Sequence, residues 1–74
     1  MPKLPRISGQ DAIRVFERLG FRVVRQKGSH VVLRKDDVGC VILLHKELAT
    51  GTLRSALKQA QVSVDDFLEA YHNK

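Results

Sequence analysis

The spacing of apolar residues changes period along the chain and divides it into six elements. Ala12, Ile13, Phe16 and Leu19 recur at helical spacing, with Arg14, Glu17 and Arg18 on the opposite side. Ser8 stands where a hydroxyl caps the first turn, Asp11 takes the capping-box position, and Gly20 is a C-terminal stop. The first helix is therefore predicted over about 8–19. The period then drops toward two. Residues 21–26, 30–35 and 40–45 are rich in β-branched residues and read as three strands. Lys27-Gly28-Ser29 forms the first turn. Asp36-Asp37-Val38-Gly39 forms the second, with the glycine expected to supply a positive φ. After a loop over 46–51 the helical period returns in Leu53, Ala56, Leu57 and Ala60, with Thr50 or Thr52 as the cap. Ser63 then opens a short third helix carrying Phe67, Leu68 and Tyr71.

Short turns between consecutive strands make an antiparallel meander. The α-β-β-β-α-α order predicts an α+β domain: a three-stranded antiparallel sheet with helices packed on one face and the other face open. One domain spans 1–74, with 1–7 as a flexible lead and 72–74 as a tail. Alternation places Phe21 and Val23 toward the helices and Arg22, Val24 and Gln26 outward. On the second strand Val31 and Leu33 point inward, and His30, Val32 and Arg34 outward.

Charge adds a polarity to this layout. The net charge is +5, but residues 1–35 hold nine Lys or Arg against Asp11 and Glu17, a net +7, and the remainder is −2. A basic half of this kind suits a polyanion or an acidic protein surface. With 43% hydrophobic residues, no Trp and one Tyr, the composition is that of a globular domain with a mostly aliphatic core. The single cysteine, Cys40, allows no internal disulfide and reads as a buried strand thiol in a reducing compartment. No apolar run is long enough to span a membrane, and the basic N-terminus lacks the hydrophobic run of a secretory signal. The expected location is cytoplasmic.

Few residue types remain for chemistry. One cysteine and scattered histidines cannot build a structural zinc site. No nucleotide-binding glycine loop and no acidic magnesium cluster is present, so neither a metal nor a cofactor is expected. His72 lies in the polar tail. His45 ends an apolar strand and is a candidate helper. His30 follows Gly28-Ser29 on the outward face, among Arg and Lys. Imidazole and cations suffice to cut RNA, which carries its own nucleophile: a base takes the 2′-OH proton, the oxygen attacks the adjacent phosphate, and cations stabilise the developing charge.

Gly28-Ser29-His30 after a basic strand, a later strand ending in His45, and the run Gly51-Thr52-Leu53-Arg54-Ser55-Ala56-Leu57-Lys58-Gln59-Ala60 resemble the HicA toxins, which are messenger-RNA interferases. Ser8-Gly9 and Leu19-Gly20-Phe21 at the ends of the first helix also match. The resemblance covers about 8–70. It implies a double-stranded-RNA-binding-like fold, cleavage of mRNA, His30 as the catalytic residue, and a HicB-type antitoxin, usually encoded beside the toxin, that covers His30. Two positions depart from the pattern. Leu43 stands where many members carry a proline, and Gln61 where many carry a glycine. On this reading Arg22, Lys27, Arg34 and Lys35 are candidates for holding RNA phosphates. Ser29 either positions a phosphate oxygen or stabilises its turn, and the amides at the Thr52 helix start either bind an anion or are simply capped. A binding-only RNA module of the same fold is the alternative function, and an antitoxin-binding protein without activity is a third.

Overall fold

A computed structural model of the chain describes residues 3–73; the outermost residues of the expected flexible lead and tail lie outside them. The elements are α1 (Gly9–Arg18), β1 (Arg22–Lys27), β2 (His30–Lys35), β3 (Val38–Leu43), α2 (Thr50–Ala60) and α3 (Val64–His72). The strands form one antiparallel sheet in the order β1-β2-β3. This is the expected α+β layout, with one sheet face covered by helices and one open.

Local chemistry explains most element ends. Ser8 accepts the Asp11 N–H at 3.0 Å and starts α1, and Ser63 does the same for Asp66 and starts α3. The start of α2 differs from the sequence reading. Its N-cap is Ala49, with no side-chain cap, and Thr50 is already helical. That helix is held by Leu53, Ala56, Leu57 and Ala60, all buried, so packing supplies what the cap does not. At its other end Gln61 takes the left-handed conformation, φ 57°. Glycine is the residue this conformation favours, and glutamine takes its place here.

The second turn is also tighter than its sequence suggests. It contains Asp36-Asp37 alone, Asp36 carries the positive φ of 53°, and Gly39 lies within β3. Aspartate tolerates this conformation better than most residues. The consequence is a third strand two residues earlier than expected, which leaves His45 in the loop beyond it. The N-terminus of α1 locks that loop in place. Gly9 donates to the His45 carbonyl at 2.9 Å, and a Cβ at Gly9 would overlap the Leu43 carbonyl. Only glycine permits this approach.

The core lies between the helices and the inner sheet face. Phe16 is fully buried and packs edge-on against Phe21 (5.3 Å) and against Phe67 (5.6 Å), joining α1, the entry to β1, and α3. Val31, Leu33, Cys40 and Ile42 supply the sheet's contribution. Leu4 and Ile7, within the stretch read as a flexible lead, are buried as well, and the Ile7 carbonyl accepts from Leu48 at 2.7 Å. The inward side of β2 is as expected. Val23 shares the inner face with its partner Leu33 yet stays 43% exposed, because the helices cover β3 and leave β1 as an uncovered edge.

Candidate functional site on the open sheet face

A β-bulge determines which side chains share the open face. Val23 pairs with Leu33, but the next pair is Arg25 with Val32, so Val24 is the extra residue. Beyond the bulge every β1 side chain changes face. Gln26, paired with buried Val31, turns to the helix side, contrary to simple alternation, and its amide donates to the Gly28 carbonyl at 3.2 Å. Arg25 and Lys27 come to the open face in its place. Sequence reasoning passed over Arg25 as a site residue. The adjacent valines 23 and 24, which break the period, were the available signal.

Cross-strand pairs then build the face in rows. Arg22 stands opposite Arg34, Arg25 opposite Val32, and Lys27 opposite His30. On the other side Gly39, Val41 and Leu43 stand opposite Arg34, Val32 and His30. Paired side chains on one face have Cβ atoms about 5 Å apart. His30 is exposed and lies between the Lys27 stem and Leu43. Four cations share the face with no salt bridge to any of them among the described residues. The directly opposed Arg22 and Arg34 repel each other until an anion lies between them. A groove of about 500 Å³ lined by Gly20, Arg22, Val24, Arg34, Lys35 and Asp36 occupies that end of the sheet.

His30, Lys27 and Ser29 gather at the opposite end, about 13 Å along β2 from Arg34. Ser29 is exposed, and its carbonyl accepts the Leu44 N–H at 2.8 Å. His45 lies two residues past Leu43 at this same end, exposed, with its carbonyl engaged by Gly9. Lys35 does not join them. It alternates to the helix side, and its ammonium donates to the Leu19 carbonyl at 2.8 Å, closing the C-terminus of α1. His72 closes α3, with its ring edge-on to Tyr71. Burial pushes the Cys40 thiol up to about 11, so it stays protonated near neutral pH and is no nucleophile. Among the described residues no three of His, Cys, Asp and Glu converge as metal ligands, and no helix is long and apolar enough to cross a membrane.

The molecule is a small α+β domain with an uncovered cationic sheet face and an exposed histidine at one end of it. The family model described as the HicA toxin of bacterial toxin–antitoxin matches residues 9–62, from the first residue of α1 to just past α2. The chain belongs to this family and is therefore the toxin component of a toxin–antitoxin system, which implies a cognate antitoxin partner. Searches of curated proteins and of solved structures find no match.

Proposed function

We propose that the chain is an endoribonuclease that cleaves messenger RNA without a metal ion, with His30 moving the proton. The observation that carries this reading is the exposed His30 at the end of a cationic face, paired with Lys27. In the reaction His30 takes the proton of a 2′-OH, and that oxygen attacks the neighbouring phosphorus. The bond to the 5′-oxygen of the next nucleotide breaks, and that oxygen collects a proton as it leaves. Lys27 offsets the charge that builds on the phosphate. Arg22, Arg25 and Arg34 hold phosphates farther along the strand, and Ser29 orients one near the break. One imidazole cannot give and take a proton at one instant, and His45 is the candidate for the second role. The antitoxin silences the enzyme by covering His30.

The substrate supplies the test. Cleavage of an RNA oligonucleotide will persist in EDTA and will fail when the scissile position carries a 2′-deoxy sugar. Activity lost in EDTA and restored by magnesium overturns the mechanism. Binding without any cleavage of RNA favours a module that only binds.

The cationic rows make a separate expectation. Replacing Arg22, Arg25 and Arg34 with glutamine will weaken RNA binding and flatten its dependence on salt by about 0.7 in log–log slope per lost phosphate contact. Lys35→Gln will change the slope least, because its ammonium is engaged by Leu19. A triple variant with an unaltered slope would put the RNA path on another surface.

A further inference from the structure

The two edges of the sheet are built differently. The β1 edge is interrupted by the bulge and carries Arg22, Arg25 and Lys27, devices that discourage pairing with another strand. The β3 edge has none of them. Val38–Leu43 contains no charge, no proline and no bulge. The hairpin register shows which of its backbone groups are free. Lys35 and Val38 flank the two-residue turn and form a hydrogen-bonded pair, and the pattern then alternates through Leu33/Cys40 and Val31/Ile42. The Leu44 N–H on the Ser29 carbonyl fixes the same phase at the far end. Gly39, Val41 and Leu43 therefore aim their N–H and C=O groups away from β2, and among the described residues no backbone hydrogen bond from another element meets them. Gly9 of α1 packs against the Leu43 carbonyl, so the open part of the edge is that of Gly39 and Val41.

Gly39, Val41 and Leu43 lie on the open face that carries His30. Val41 is 42% exposed. Arg34 leans over Gly39: a Cβ there would lie 3.2 Å from the Arg34 Cγ. A groove of about 330 Å³ straddles the edge, lined by Val32, Arg34, Gly39 and Val41 from the open face and by Cys40 and Gln59 from the helix side. Apolar contacts, a row of free backbone groups and one guanidinium thus meet in one slot.

We propose that an extended segment of the antitoxin adds to this edge at Gly39 and Val41 as a fourth strand, with aliphatic side chains beside Val41 and an acidic side chain opposite Gly39 that reaches Arg34. A strand at this position lies about 5 Å from β3 and about 10 Å from β2, so its neighbours reach the His30 row. Charge selects the occupant. A second copy brings another +5, and a single pairing of six-residue strands covers far less than the roughly 1,000 Å² of a stable interface. An acidic partner that also covers the basic face meets both demands. The inference rests on the antitoxin binding over the open face, and the experiment separates the two.

Amide hydrogen exchange is measured on the free chain and on its purified complex with the HicB-type antitoxin, with His30 reactivity toward diethyl pyrocarbonate followed in parallel. The amides of Gly39 and Val41 will exchange fast in the free chain and lose that fast exchange in the complex. Those of Val38, Cys40 and Ile42 stay slow in both. Val41→Pro removes an outward N–H that the sheet does not use, so the chain will stay folded by circular dichroism and bind the antitoxin at least ~10-fold more weakly, the loss of one or two ladder bonds. Val41→Lys, which keeps the amide but adds a charge to the edge, will weaken it as well. Edge amides that remain fast in a complex where His30 is protected overturn the added strand and leave face coverage standing. Protected edge amides beside a reactive His30 support the strand and remove face coverage. Protection that appears in the free chain as its concentration rises, with sedimentation as a dimer, assigns the edge to a second copy and overturns the proposal.

Discussion

His30→Ala will abolish RNA cleavage and relieve growth arrest while the protein stays folded. The imidazole is exposed on the open face, and no hydrogen bond in the described structure depends on its side chain. Exposed substitutions of this kind change stability by about 0.5 kcal/mol or less. The loss in rate is expected to be far larger, on the order of 10²–10⁴-fold, the usual contribution of a positioned proton-transfer group. Induced expression of both chains, with growth, RNA integrity and a melting curve of each purified protein, reads all three effects together. A well-folded His30→Ala chain that cuts RNA at the parent rate would remove His30 from the mechanism.

The opposite behaviour is expected of Phe16→Ala. Phe16 is 0% exposed and touches the rings of both Phe21 and Phe67, so its loss opens a cavity where three elements meet. Truncation of a buried phenylalanine costs about 3–5 kcal/mol. A domain of this size has only about 4–11 kcal/mol in total. The melting temperature will fall by on the order of 20 °C, and much of the chain will be unfolded at growth temperature. Toxicity will disappear with the fold, whereas His30→Ala removes it without the fold. A shift under about 5 °C would mean that α1 and α3 close over the gap, and that the aromatic cluster is not the keystone of the core.

The two variants are expected to differ because burial separates the packing residue Phe16 from the exposed candidate His30. That separation is visible in the sequence for β2, where Val31 and Leu33 alternate with His30, Val32 and Arg34, and the structure keeps the alternation. It is not visible for β1. A reading by strict alternation sends Gln26 outward and passes over Arg25. The bulge at Val24 reverses both, and it belongs to the pairing with β2 rather than to β1 alone. Lys35 shows the same limit. It is one more cation in a basic stretch until the fold brings the Leu19 carbonyl within 2.8 Å.

The element order, the caps at Ser8 and Ser63, the inward residues of β2, and the concentration of positive charge in the first half are all legible along the chain. Each depends on neighbours within a few residues: helical or strand period, a hydroxyl three positions from an amide, the sign of nearby side chains. The remaining features come from how the elements assemble. That assembly set the bulge, the two-residue turn with Asp36 at positive φ, the packing of Gly9 against the end of β3, and the outer edge left open at Gly39 and Val41. These features arise where segments distant in the chain meet, and their register is chosen by the total burial and hydrogen bonding of the assembled sheet, which no local pattern encodes.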